Sequence, residues 1–229
     1  MYALTRALQY EMGISALSNN FGPGTMAALA EKYGKVDETT VPSANFCRII
    51  QSALYCKGYD GGDIDGTYNS RVKSAVLKLH QDMGVSTTYP GSSLWPKVIK
   101  GLFNMDAYVS VNNGSETIRS IQQWLNGNYV LRSDFYIIPC DGHHSRDVAK
   151  SLLFAIQYEL GMADGTANGG LRPPRHPVGS EEPRPVHREF RGSGCSSSPR
   201  AWCSTAVRSR SAARTAPRWR RPSAPSSRS

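Results

Sequence analysis

The sequence predicts an all-α protein of small three-helix units in tandem, followed by a disordered C-terminal tail. Three observations support this fold class. Apolar residues recur at helical spacing through the first 170 residues, similar segments recur along the chain, and the composition changes abruptly near residue 170.

A six-residue segment occurs three times. LQYEMG at 8–13 returns as LHQDMG at 79–84 and as IQYELG at 156–161, at offsets of 71 and 77 residues. These offsets predict one helical unit used three times, and we divide the chain accordingly. The predicted parts are a partial first unit at 1–32, a linker at 33–44, a second unit at 45–108, a linker at 109–116, a truncated third unit at 117–168 and the tail at 169–229.

The second unit is the most complete, because it has three apolar stripes separated by helix-breaking loops. A Gly-rich run at 58–66 separates the first two stripes, and Gly84 is placed to end the second helix. The stripes are Phe46, Ile49, Ile50, Ala53 and Leu54; then Val72, Ala75, Val76, Leu79 and Met83; then Trp95, Val98, Ile99 and Leu102.

The third unit follows the same plan with two stripes, and Ser145 is predicted to cap its second helix. In the first unit, residue 1 stands at the start of a second helix and FGPGT at 21–25 leads into a third. The stripes of the third unit are Ile118, Ile121 and Leu125, then Val148, Leu152, Ala155, Ile156 and Leu160.

The segment GYDGGDIDGTYNSRVKSAVLKLHQDMGV at 58–85 resembles a peptidoglycan-binding repeat. Such repeats have Gly-Tyr at the end of the first helix, then Asp-Gly-x-Phe/Tyr, then an amphipathic helix ending near Gln and Gly. More narrowly, SIQQWLN at 120–126, IIPCDG at 137–142, SRDV at 145–148 and AIQYELGMADG at 155–165 are similar to bacterial secreted proteins whose repeats precede a glycoside-hydrolase-like barrel.

This resemblance implies a non-catalytic module that binds or targets cell-wall peptidoglycan, outside the cell or on its wall, without a cofactor. The alternative is a fragment of a secreted glycoside-hydrolase-like enzyme whose barrel is missing from this chain. The residues themselves show no signal peptide and no apolar run of the roughly 18 residues that a membrane span needs. The sequence sets no oligomeric state.

Aromatic and acidic residues around the loops are the candidate glycan contacts, because sugars offer apolar CH faces and many hydroxyls. Asp-Gly pairs also stabilise tight turns, and Tyr59 and Trp95 also suit a core, so a structural role is the competing interpretation. His143 and His144 stand where the similar proteins have a loop aromatic. The candidates are Tyr59, Asp63, Asp65, Tyr68, Trp95 and Asp141.

No residue pattern predicts catalysis or a metal site. Glu11 and Glu159 hold equivalent places in separate units, so they cannot flank one glycosidic bond, and we expect solvated charges. Cys140, Asp141 and the two histidines are zinc-capable but adjacent, with no distant pair to complete a set. Cys47, Cys56 and Cys140 are predicted to be buried free thiols.

The tail carries the basic character of the chain. Of 27 basic and 18 acidic residues, 13 Arg and 3 Glu lie in 171–229, so residues 1–170 are nearly neutral. The tail has no Lys, Asn, Ile, Met or Tyr, which favours either a disordered tail or translation of a GC-rich gene in a shifted frame. Its arginines would bind nucleic acid only non-specifically and with strong salt dependence.

Overall fold

The computed structural model describes residues 1–170, which lie in one compact unit. They confirm the all-α fold class: they form seven helices and no strand beyond an isolated antiparallel bridge between Val36 and Leu94. The predictions for the tail lie outside the described residues. The helices are α1 Tyr2–Glu11, α2 Pro23–Tyr33, α3 Ala44–Cys56, α4 Ser70–Met83, α5 Pro96–Phe103, α6 Glu116–Tyr129 and α7 Arg146–Glu159.

The second unit, α3 to α5, forms as its stripes predict. The side chains of Ser43 and Asn69 cap α3 and α4 by accepting backbone N–H groups of the first turn. Gly84 ends α4 in the left-handed conformation, with φ of +77°. The predicted stripe residues are buried, with Ile49 and Trp95 only partly so.

The units share cores across their boundaries. Helix α1 packs on α3 and α2 packs on α5, so Leu8 and Leu29 join the core of the second unit. Helix α4 packs on α6, where Gly84 lies so close that a Cβ at its position would be 2.5 Å from the Cα of Gln123. The unit boundaries stay predictions, since the predicted linkers also pack: Val36 in 33–44 is buried.

In the third unit the predicted apolar faces are only partly right: Leu125, Val148 and Ala155 are buried as expected, but the other large aliphatic residues are not. Ile121, Ile156 and Leu160 are exposed, while Gln122 and Asn126 are buried. Burial follows two features that a count of apolar residues omits. One is a set of hydrogen-bonded amides, and the other is an aromatic cluster that α6 and α7 form with the loop between them. The cluster contains Tyr129, Phe135, Phe154 and Tyr158.

The cysteines of the described region are free, as expected, but only Cys47 and Cys140 are buried and Cys56 is exposed. Cys56 ends α3 on the side away from the core, so the prediction that it is buried is wrong. The Ser145 cap is confirmed, since its side chain accepts the N–H of Val148. None of the helices in residues 1–170 has the length and apolar character to cross a membrane.

Candidate functional site

A buried glutamine on the first helix of the second unit holds the Asp-Gly loop. The Gln51 Nε2 donates to the Asp65 carboxylate at 3.0 Å and to the backbone carbonyls of Asp63 and Thr67 at 2.8 and 3.2 Å. Its Oε1 accepts the N–H of Gly66 at 2.9 Å. One amide thus satisfies four loop groups, and we call this arrangement the Gln51 clamp.

The third unit repeats the device with Gln122. Its Nε2 donates to the Asp141 carboxylate at 2.8 Å and to the His143 carbonyl at 3.0 Å, and its Oε1 accepts the N–H of Gly142 at 2.9 Å. Gly142 has φ of +81°, and a Cβ there would meet the Ser115 nitrogen at 2.8 Å. We call this the Gln122 clamp. Both loops are therefore fixed by a buried side chain before any ligand arrives.

The predicted loop acids Asp65 and Asp141 hold their own loops through hydrogen bonds. The carboxylate of Asp65 also accepts the N–H of Thr67, and that of Asp141 accepts the N–H of His143. The hydrogen bond from Gln51 is the largest cause that lowers the pKa of Asp65. Asp63 is exposed, and its carbonyl rather than its carboxylate contacts the clamp. A direct role of these acids in glycan binding stays a prediction.

Tyr59 lies beside a shallow pocket but presents little of its ring. It is 4% exposed, and its hydroxyl donates to Asp82 at 3.1 Å. Burial is the main cause that raises its pKa above the ordinary value. The pocket encloses about 240 Å³ and its rim includes Asp60, Ser74 and Lys78.

Tyr68 and Trp95 do not line this pocket. Tyr68 is 6% exposed, and its hydroxyl donates to the carbonyl of Ser92 at 2.6 Å. Trp95 is partly buried and stacks on Tyr89, with 5.3 Å between ring centroids. Both rings thus support the loop that leads into α5.

A second cleft lies elsewhere, between α5 and the loop that precedes α7. It encloses about 390 Å³, within the usual range of ligand pockets. It contains none of the six predicted contact residues. The lining is Met26, Lys97, Lys100, Gly101, Asn104, Asp106, Ser133, Asp134, Phe135, Tyr136 and Ile137. We call it the α5 cleft.

One lysine of the α5 cleft is structural. Lys97 donates through Nζ to the carbonyls of Val130 at 2.7 Å and Phe135 at 2.8 Å, and to that of Arg132. Burial lowers its pKa. The ammonium therefore satisfies carbonyls at and beyond the C-terminal end of α6 and shapes the wall of the cleft.

Other polar groups of the cleft can face a ligand. Lys100 is partly exposed three residues after Lys97 on α5. The Tyr136 hydroxyl donates to Asp147 at 3.1 Å, and burial raises its pKa to about 12. Burial also raises the pKa of Asp106. A cationic amine, an acid and a phenol beside apolar walls suit a ligand with both hydroxyl and carboxylate groups.

The sequence analysis does not predict the α5 cleft. The i, i+3 spacing of Lys97 and Lys100 marks one helix face, but nothing in the sequence places that face against residues 133–137. Glu159 is exposed, as expected, and Glu11 is partly buried. Each also has a partner: Ser43 donates to Glu11 at 3.0 Å and Tyr129 to Glu159 at 2.9 Å. Within residues 1–170, no group of three His, Cys, Asp or Glu side chains is arranged to hold a metal.

Part of the chain is similar to a family of peptidoglycan-binding-like domains. Residues 111–177 match the family model of the FadG/YbfG, PGDB-like domain, where PGDB denotes a peptidoglycan-binding-like domain. The match contains α6, the Gln122 clamp and α7. The matched model describes a binding-type domain.

Two proteins of Bacillus subtilis (strain 168) are similar over most of the chain. The "Uncharacterized protein FadG" is 50% identical over 173 residues, which are 76% of this chain and 30% of FadG. The "Uncharacterized protein YbfG" is 36% identical over 170 residues, 74% of this chain and 22% of YbfG. The chain thus spans less than a third of either relative. No solved structure matches it.

Proposed function

We propose that this chain is a non-catalytic module that binds the glycan of the bacterial cell wall. The observation that carries the proposal is the PGDB-like match over 111–177, on a unit whose clamped loop is built like that of the second unit. Two equally built units on one chain suit a polymer of repeating sugars. The proposed location is outside the cell, at the wall.

We propose the α5 cleft as the main contact. The carboxylates of Asp65 and Asp141 already accept hydrogen bonds from the clamps. The amine of Lys100, in contrast, lines a cleft large enough for a sugar residue with its substituent. Peptidoglycan carries carboxylates on its peptide groups, and a partly desolvated ammonium binds a carboxylate more strongly than an exposed one does. The six loop residues form the rival contact.

The test is co-sedimentation of the full chain with purified sacculi from which anionic polymers have been stripped. About 0.5 M salt shortens the screening length to roughly 4–5 Å, so adhesion by the 13 tail arginines is suppressed. We expect the chain to sediment with sacculi and to release no reducing sugar. A chain that stays in the supernatant would contradict the proposal, and sugar release would favour the enzyme alternative.

Three variants distinguish the contacts. Lys100→Ala should weaken sacculus binding by roughly five- to tenfold if the α5 cleft is used, as expected for the loss of one charge-assisted hydrogen bond. Lys78→Ala reports on the pocket beside Tyr59. Arg6→Ala, exposed on α1, is the matched control for charge. An effect of Lys78→Ala without one of Lys100→Ala would move the contact to the loop side of the second unit.

A second candidate function follows from the greater length of the two relatives. Because the chain spans 30% of FadG and 22% of YbfG, a longer protein of this kind has room for a catalytic domain that a wall-binding module would deliver. A glycoside-hydrolase-like barrel is the proposal for that domain. It predicts hydrolysis of cell-wall glycan by the full-length relatives and none by the present chain.

A further inference from the structure

The second helices of the three units end in the same way. In each, a glycine with positive φ follows the last turn, and the next residue donates its N–H to the carbonyl five residues earlier. This alignment makes the last two apolar positions of each helix equivalent. The glycines are Gly13, Gly84 and Gly161; the apolar pairs are Leu8 with Met12, Leu79 with Met83, and Ile156 with Leu160.

These equivalent positions differ sharply in burial. Leu8 and Leu79 are fully buried, whereas Ile156 is 55% exposed and Leu160 is 79% exposed. Leu152, one turn earlier on the same stripe, is also exposed. The helix α7 therefore presents a row of large aliphatic side chains to solvent at the place where α1 and α4 have theirs covered.

The helices α1 and α4 each pack on the first helix of the next unit, α3 and α6 respectively, and an acid on the last turn takes part in each contact. Glu11 of α1 accepts from Ser43 at 3.0 Å, and Asp82 of α4 pairs with Arg119 at 2.9 Å. Both donors come from the beginning of the next unit's first helix: Ser43 caps α3, and Arg119 is in the first turn of α6. The same contact between units is thus made twice along the chain.

The third acid is prepared for this contact. Glu159 accepts the hydroxyl of Tyr129 at 2.9 Å, as Asp82 accepts that of Tyr59 at 3.1 Å. In both cases the tyrosine comes from the unit's own first helix or from just beyond it, and it orients the carboxylate. Glu159 itself remains exposed. The carboxylate of Glu159 is therefore oriented as that of Asp82 is.

We infer that the exposed face of α7, formed by Leu152, Ile156, Glu159 and Leu160, is a docking surface for a further helical unit of the same kind. Its first helix would bring a hydroxyl, amide or guanidinium donor to Glu159, and its apolar residues would cover Ile156 and Leu160. The inference continues an interface already formed between units in this chain, and it does not depend on glycan binding. Stacked repeats bury their cores against neighbours in this way.

The test supplies such a unit at the position that the repeat defines. Asn20 and Asn168 are equivalent at the offset of 148, so residues 21–108 are inserted between Asn168 and Gly169 of the full chain. This insertion carries a third helix and a complete second unit in register. Amide exchange of α7 is then compared between the natural and the extended chain, and we expect the last two turns to exchange at least tenfold more slowly in the extended chain.

A substitution gives the second measurement. Ile156→Asp should change the melting temperature of the natural chain by no more than about 2 °C, as for a surface position. In the extended chain it should lower the melting temperature by roughly 10 °C, similar to Leu79→Asp in the natural chain. Leu77→Asp, at a half-exposed site on α4, is the control and should act equally in both chains.

Two results would overturn the inference. Unchanged exchange of α7 in the extended chain would show that a following unit does not dock there. A loss from Ile156→Asp in the natural chain as large as that from Leu79→Asp would show that the face is already engaged. Slower exchange together with a penalty confined to the extended chain supports it.

Discussion

The Gln122 clamp offers the sharpest test of how the loop of the third unit is held. Gln122→Ala removes one acceptor and one amide donor from a buried site. The N–H of the buried Gly142 then loses its acceptor at 2.9 Å, and the Asp141 carboxylate and the His143 carbonyl lose their donor at 2.8 and 3.0 Å. The variant also leaves a small cavity behind α6.

The expected loss follows from these contacts. Each hydrogen bond contributes about 1 kcal/mol net, and a buried group left without a partner costs about 1–3 kcal/mol. Three lost bonds around a buried Gly142 therefore lower the free energy of unfolding by roughly 3–4 kcal/mol. For a folded region of this size, that corresponds to a fall in melting temperature of about 10 °C. Gln51→Ala should cost a similar amount in the second unit.

Thermal unfolding followed by circular dichroism measures this loss, with Gln81→Ala at an exposed position of α4 as the control. Gln122→Glu is the matched variant. It keeps the acceptor for Gly142 but sets a second carboxylate against Asp141. Like charges at this distance favour protonation, so its destabilisation should shrink as pH falls from 7 towards 4. A Gln122→Ala variant as stable as Gln81→Ala would refute the reasoning.

Three further outcomes are expected from unfolding experiments. Burial lowers the pKa of His80 in the folded protein. The stability contributed by the neutral imidazole is therefore complete above the unfolded pKa of about 6.5 and is lost as pH falls below it. Glutamine stands at this position in the other two units, so His80→Gln should flatten the pH dependence of the unfolding free energy between pH 7 and 5. Lys97→Met should lower the unfolding free energy by roughly 2–4 kcal/mol in a denaturant titration, because three backbone carbonyls lose their donor. If Lys97→Arg were as stable as wild type, the three carbonyls would not be arranged specifically for an ammonium group. Gly142→Ala should destabilise more than Gly91→Ala, because both glycines have positive φ but only Gly142 has backbone within 3 Å of a Cβ; equal melting temperatures would show that the loop yields.

The helices of the second unit follow from the sequence because their determinants are local. The cap residues Ser43 and Asn69, the glycine that ends α4 and the 3.6-residue spacing of apolar side chains act within one or two turns. The cap at Ser145 could be predicted for the same reason. The helical spacing of apolar side chains predicts the all-α class, which residues 1–170 confirm, and the repeat of a six-residue segment predicts three units.

The exposed faces of the third unit and the α5 cleft could not be predicted in this way. Gln122 and Asn126 are polar, and they are buried because loop carbonyls and N–H groups of residues distant in sequence satisfy their amides. Ile156 and Leu160 are apolar, and they are exposed because no described helix packs on that side of α7. The position of a residue on a helix is a local property that the sequence determines. Burial depends on which distant groups pair with that face, and only the tertiary structure brings those groups together.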